Sequence, residues 1–288
     1  MSIIVNLACG LANRMFQYSY YTYLKDRGYD VFTDSYYSGK LAHETVAWNS
    51  IFKNAELKQA NKFHVWALGG GQDIFSRARR KYLKFSTNVF QMPSAFDALL
   101  PTKNNQYIIG VFQNGQMVEI IKNKVFELFQ FEPFRDKMNL GLEKEMEDNN
   151  SVAIHVRKGK DYQERIWYQN TCEVEYYKKA IDYLLDNLNN PKFYVFTDNK
   201  DWVKHNFGFF DYFLVDGNPP FGYGNHFDMQ LMTHCHHNII SNSTYSWWGA
   251  FLNRHENKTV IIPEIWFNPD SCEEFSSSRL RCNGWISI

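Results

Sequence analysis

Short apolar runs alternate along the chain with stretches whose apolar residues recur every third or fourth position. Ile3–Leu7, Val31–Thr33, Tyr107–Phe112, Val152–Val156, Lys192–Thr197, Tyr212–Val215, Asn238–Ile240 and Thr259–Ile262 read as strands. Between them, Leu11–Arg27 reads as a helix with Leu11, Met15, Tyr18 and Tyr21 on one face and Gly28 at its end. Met117–Phe129, Lys137–Asn150, Asp201–Phe207, Asp228–His236 and Tyr245–Leu252 are further helical stretches. Val174–Leu188 is the most amphipathic, with Tyr177, Ile181, Leu184, Leu185 and Leu188 predicted inward. Strands alternating with helices at this spacing predict an α/β fold with parallel, doubly wound sheets. There are two such halves, which implies two sheets facing a cleft. The expected domains are 1–145 and 146–288, with the boundary in the segment 135–150.

Residues 36–100 carry no clean period. They include Gly69–Gly71 and the basic run Arg77, Arg79, Arg80, Lys81. A helix fits Ile74–Leu83, and its basic face reads first as solvent-exposed. Contact with an acceptor or with an anionic membrane surface is the less favoured reading of that face.

Composition narrows the classes. The 288 residues are 44% hydrophobic and 17% aromatic, enough for a substantial core. The aromatic excess suits a cleft for sugars or bases, although a ring-rich core accounts for it equally. With 31 basic and 31 acidic residues there is no global field, so nucleic-acid binding is not expected and any anion needs local groups. The five cysteines are scattered without CxxC spacing, which points to reduced thiols. MSIIVNLACG reads as a first strand rather than a signal peptide, and no window suits a membrane span. A cytoplasmic protein is the expectation.

The candidate chemistry gathers at strand ends. Val152–Val156 runs into Arg157, Lys158, Gly159 and Lys160. Ligands of open α/β sheets bind outside the carboxyl ends of the strands. A guanidinium beside a glycine suits a phosphate ester there. His155 shares a face with Arg157, while Ile154 and Val156 point into the packing. A second strand ends in Asp198, whose carboxylate can accept from guanine or ribose, or cap the next helix. A third runs into Ser241, Asn242, Ser243, Thr244, Tyr245 and Ser246 at a helix start, an arrangement suited to a diphosphate. The first turn offers Gly10 and Asn13, with no GxGxxG. His226, His234, Cys235, His236 and His237 could suggest zinc, but lack ligand spacing, and no metal is expected.

CGLANRMFQYSYY (9–21), HVRKGKDY (155–162), FTDN (196–199) and SNSTYSWWGAFL (241–252) together resemble the α-1,2-fucosyltransferases of glycosyltransferase family 11. The EYYKKAI helix start at 175–181 fits the same pattern. The resemblance spans nearly the whole chain and is weakest between about 36 and 105. It implies a GT-B-like pair of Rossmann-type domains with parallel sheets, GDP-β-L-fucose as donor, and inverting transfer to the 2-hydroxyl of a galactose-containing oligosaccharide or lipid-linked glycan. It implies no metal, a place in bacterial surface polysaccharide synthesis, and possible peripheral contact with the inner face of the membrane. Carried over by position, Arg157 binds the diphosphate and His155 lies against the nucleotide. Asp198 meets guanine or ribose, and Ser243, Thr244 and Tyr245 hold the phosphates. Asn13 approaches the donor from the first domain. Asp161, Glu164 and Glu173 are the candidate bases for the acceptor hydroxyl. Ala12 and Arg14 replace the usual Gly and Gln, Lys160 shifts Asp161 out of register, and Asn199 replaces an acid. Alternatives are another linkage from GDP-fucose, such as α-1,6, and a non-catalytic carbohydrate- or nucleotide-binding protein of the same fold.

Overall fold

The computed structural model describes residues 2–36, 48–71, 73–84, 87–91, 105–220, 224–271 and 277–288. Cys272 and the whole segment 92–104 lie outside them. The side chain of Asp161 does too. The chain divides into two compact units, Met1–Gln130 and Phe131–Ile288, upstream of the 145/146 boundary expected from the sequence.

The first unit opens with β1 (Ser2–Asn6), α1 (Leu11–Asp26) and β2 (Asp30–Asp34). Gly28, at φ 80°, closes α1 in the left-handed region that favours glycine. α2 (Trp48–Ile51), α3 (Lys62–Ala67), α4 (Ile74–Tyr82) and β3 (Val89–Gln91) follow. β4 (Gln106–Ile109), α5 (Gly115–Ile120) and α6 (Lys122–Leu128) complete it. Among the described residues the sheet order is β2-β1-β4-β3, all parallel. β3 escapes the sequence pattern because three half-exposed residues are too few to show a period. The predicted helix Met117–Phe129 is two helices, broken where Ile121 leaves the helical region.

The second unit contains α7 (Lys137–Asp148), β5 (Ser151–Val156), α8 (Lys160–Gln163), α9 (Val174–Asn187) and β6 (Lys192–Thr197). α10 (Lys200–Asn206), β7 (Phe213–Leu214), α11 (Phe227–His234) and β8 (His237–Ile239) come next. α12 (Thr244–Leu252), β9 (Val260–Ile262) and β10 (Ile286–Ser287) close the chain. α7 is fastened within this unit. Ser151 Oγ donates to the Met146 carbonyl at 2.6 Å, and Asn139 Nδ2 to Asn218 Oδ1 at 2.8 Å. The sheet order is β10-β9-β8-β5-β6-β7, again parallel among the described residues. The expected α/β class with two parallel sheets is therefore observed.

β5 is buried along its whole length. Val152, Ile154 and Val156 pack with Tyr177, Ile181 and Leu184 of α9, as alternation predicts. Leu185, expected inward, faces out and is 48% exposed. It lies one residue, about 100°, beyond the contact line through Leu184. No helix among the described residues is long and apolar enough to cross a membrane. Among the described residues, Cys9, Cys172, Cys235 and Cys282 form no disulfide with one another.

Leu184→Ala should cost about 2–5 kcal/mol of stability, because the sealed site cannot collapse fully. Leu185→Ala should stay within about 0.5 kcal/mol. Urea unfolding of both variants checks the pair; equal losses would contradict this packing.

Candidate functional site

From β5 the chain goes to β6 and β7 on one side and to β8, β9 and β10 on the other. The strand order therefore reverses between β5 and β8, and their carboxyl ends bound a crevice where open α/β sheets bind ligands. β5 and β8 pair in register with Ile154 opposite Ile239. That register brings the tip of β5 beside the turn Ser241–Ser243.

Arg157 sits at the β5 tip and donates from Nη1 to Asp198 Oδ2 at 2.5 Å. The other oxygen of Asp198 accepts the backbone N–H of Lys158 at 2.8 Å. Asp198 therefore holds the guanidinium in place from the end of β6. The cap of α10 is Asn199, whose Oδ1 accepts from Trp202 N at 3.0 Å. Asp198, expected to meet guanine or ribose, is bonded here to Arg157 and Lys158, and the capping role that was its alternative falls to Asn199.

Lys158 does not join Arg157. Alternation turns it to the opposite face, where it is buried. Its Nζ donates to the Thr171 carbonyl at 3.1 Å and to Glu173 Oε1 at 2.7 Å. The ammonium also lies over the rings of Tyr162 and Trp202 at 5.5 and 5.3 Å. Glu173, one of the candidate bases, is the counter-ion of a buried lysine in this structure. Glu164 lies on the surface, 3.7 Å from Lys160.

In the turn, the polar groups divide into two sets. Asn242 is buried, and its amide is used within the protein. Oδ1 accepts from Tyr162 Oη, and Nδ2 donates to Thr171 Oγ1 at 3.0 Å and to the Trp266 carbonyl at 2.8 Å. Tyr245 Oη accepts from Met229 N at 2.9 Å and donates to the Asn225 carbonyl at 2.8 Å. Ser246 Oγ donates to the Ser243 carbonyl at 3.2 Å. These three side chains, expected at the phosphates, hold the turn by hydrogen bonds within the protein. Ser243 caps α12, its Oγ accepting from Tyr245 N at 3.3 Å. Thr244 is half-buried, and its hydroxyl has no partner among the described residues.

His155 Nδ1 lies 2.8 Å from Ser241 Oγ, and its ring lies against Tyr245 with centroids 5.8 Å apart. Ser241 is fully buried with no other side-chain partner among the described residues. If the imidazole donated, the hydroxyl proton of Ser241 would be stranded, and an orphaned buried donor costs about 1–3 kcal/mol. The hydroxyl therefore donates into Nδ1, and the ring proton sits on Nε2. Burial, then the neighbouring Arg157 charge, holds the His155 pKa down at about 3, so the ring is neutral. Nε2–H is a neutral donor beside the guanidinium. Ser241 was legible only as one serine among several.

In the first unit the strand order reverses between β1 and β4. Gly10 caps α1 in an extended conformation, and Asn13 Oδ1 accepts from Gln113 Nε2 at 2.9 Å across that junction. Ala12 lies within α1, where alanine is well suited. The left-handed position of this turn is Cys9, at φ 69°. Arg14 is buried, its guanidinium 5.8 Å from the Trp48 ring centroid.

His234, Cys235 and His236 precede β8, at the opposite end of the sheet from the crevice. His234 faces Glu143 and Glu147 of α7 at 3.1 and 2.8 Å, and His237 Nε2 pairs with Asn150 Oδ1 at 3.0 Å. The ligand atoms of His234, Glu143 and Glu147 lie within 4.8 Å of one another, and the His236 and His255 rings are 4.2 Å apart.

A depressed histidine pKa means that the unfolded chain takes up the proton first as pH falls. The stability contributed by neutral His155 is then complete above about 6.5 and lost progressively towards pH 3. His155→Gln should flatten the fall in melting temperature over that window. Ring ¹⁵N NMR should show a neutral Nε2–H tautomer in the wild type that Ser241→Ala weakens. An imidazolium at pH 6 would contradict both expectations.

The model of the family described as glycosyl transferase family 11 matches residues 3–288. An α-1,2-colitosyltransferase of Escherichia coli is 29% identical over 307 aligned positions, covering 100% of this chain and 99% of that protein. The O-antigen biosynthesis glycosyltransferase WbnK of Escherichia coli is 31% identical over 198 residues, covering 66% of this chain and 63% of that protein. Among solved structures, the fucosyltransferase NodZ from Bradyrhizobium superposes with a TM-score of 0.51 at 15% identity, covering 86% of this chain and 91% of that one. The fold is therefore that of GT-B-like fucosyltransferases. Because the family match takes in both the β5 tip and the β8–α12 turn, the chain belongs to glycosyl transferase family 11.

Proposed function

We propose that this glycosyltransferase moves L-fucose from GDP-β-L-fucose to the 2-hydroxyl of a galactosyl acceptor, with inversion and without a metal. One observation carries the reading. The β5/β8 crevice collects a fixed guanidinium, a neutral imidazole N–H and the hydroxyl-bearing start of α12, and this set matches a nucleoside diphosphate leaving group. The acceptor is a galactose-bearing, lipid-linked glycan of bacterial surface polysaccharide assembly, in keeping with the O-antigen role in the name of one relative.

A second donor has specific support. The relative aligned end to end is an α-1,2-colitosyltransferase. Colitose is L-fucose without its 3-hydroxyl, so both donors present the same diphosphate to the crevice. What separates them is a contact to the sugar.

As the glycosidic bond breaks, charge builds on the β-phosphate and the sugar becomes oxocarbenium-like. Only groups that bind this charge more strongly in the transition state than in the ground state accelerate the reaction. Arg157 qualifies because Asp198 fixes it before the donor arrives, so little reorganisation is needed. His155 Nε2–H, the Thr244 hydroxyl and the first-turn N–H groups of α12 other than that of Tyr245, which Ser243 caps, add donors at the same place.

Arg157→Ala, with the fold intact, should lower transfer by roughly a hundredfold or more, the effect of losing about 3–4 kcal/mol of transition-state stabilisation. GDP release with lactose as acceptor measures it, with linkage analysis of the product. Supplying GDP-fucose and GDP-colitose in parallel distinguishes the donors, and no GDP release from either would end this reading.

Glu173→Gln should retain the acidic limb of the pH–rate profile, because its carboxylate is occupied by Lys158. It should instead lower stability by about 1–3 kcal/mol, through the weakened partner of a buried cation. Loss of the limb without loss of stability would identify Glu173 as the base.

A further inference from the structure

The surface of α4 runs against the usual arrangement of a helix packed on a sheet. Its Asp73 cap accepts from Ser76 N at 2.8 Å, so the helix has a firm start. Ile74, Phe75 and Tyr82 are 72%, 82% and 70% exposed. At 3.6 residues per turn these three and Ala78 fill one sector of about 100°. Ser76 and Arg80 lie on the other side. Ser76 is buried, and Arg80 Nη1 donates to the carbonyl oxygens of Gly69 at 2.9 Å and Gly71 at 2.6 Å. An ordinary surface helix buries its apolar stripe. Here the polar side is anchored and the apolar side is turned outward.

Cations border the apolar sector. Arg77 and Lys81 follow one edge and Arg79 the other. Arg79 donates to the Trp66 carbonyl, and its guanidinium lies 4.8 Å over the Trp66 ring. Phe63 and Trp66 of α3 are also exposed, with ring centroids 6.0 Å apart, and extend the apolar surface on that side.

We propose that the α3–α4 face docks on an anionic phospholipid surface, with α4 lying in the plane of the interface. A helix with bulky apolar and aromatic side chains on one sector and Lys/Arg at its edges settles at the headgroup–acyl boundary. Long cationic side chains there reach back to the headgroups while their stems cover apolar surface. A diffuse anionic plane satisfies both edges at once, whereas a folded partner would have to place carboxylates on either side of an apolar ridge. With nine residues α4 lies on a bilayer rather than crossing it. The chain carries formal net charge +0, so the attraction is local to this face.

Flotation of the full chain with vesicles tests this independently of any transfer assay. Binding is expected to phosphatidylcholine vesicles containing phosphatidylglycerol, to weaken as salt rises, and to be slight on phosphatidylcholine alone. Arg77→Gln with Lys81→Gln should reduce partitioning about thirtyfold, at ~1 kcal/mol for each basic residue near the surface. Ile74→Ser, Phe75→Ser and Tyr82→Ser together should abolish it. These side chains are exposed, so circular dichroism and melting temperature should stay at wild-type values. Failure of the wild type to float would overturn the proposal, as would flotation that neither variant set reduces. Self-association in lipid-free sedimentation velocity that the serine variant removes would assign the face to a second copy of the chain instead.

Discussion

The parallel pairing of β5 with β8 is the constraint on which the second unit depends. It makes β5 an interior strand, flanked by β6 and β8, and sets the strand-order reversal beside its carboxyl end. A buried parallel strand has two packed sides, so its residues have no freedom of direction. Val152, Ile154 and Val156 enter the core, and His155 and Arg157 are sent to the face bordering the crevice. One residue further, the same alternation drives Lys158 the other way. The cation that serves the crevice and the cation that serves the interior are adjacent in the chain, separated by the period of the pleat.

The crevice is built by using some polar groups and sparing others. Tyr162, Thr171 and Asn242 satisfy one another and the Trp266 carbonyl. Lys158 is satisfied by Glu173 and Thr171. These interactions tie the segment after β5 to the turn after β8, and each would be costly to leave half-made, because a buried polar group without a partner loses its hydration for nothing. At the same strand ends lie the Arg157 guanidinium steadied by Asp198, the His155 Nε2–H set by Ser241, and the hydroxyl-bearing start of α12. In the proposed function, a rigid surrounding spares these groups reorganisation when a charged ligand binds.

The first unit repeats the same principle with a different surface. Its own strand-order reversal carries Gly10 and Asn13, braced by Gln113. Its most unusual feature is α4, where arginine donors to backbone carbonyls take the anchoring role that apolar side chains usually have. Once the attachment is polar, the apolar residues of the helix are free to face outward.

Much of this was legible in the sequence. Runs of β-branched residues marked the buried strands, 3.6-residue spacing marked the long helices, and the pleat assigned His155 and Arg157 to one face. The hydroxyl-rich segment before Trp247 marked a helix start. Shorter or weaker patterns were lost, such as β3 and the break at Ile121. What the sequence could not show was which polar group meets which. Asp198 reaches Arg157 across 41 positions, Asn242 reaches Thr171 across 71, and Ser241 reaches His155 across 86. Periodicity belongs to the local geometry of the backbone and is written into consecutive residues. Hydrogen-bond partners depend on the order in which strands lie side by side, and that order exists only once the sheet has closed.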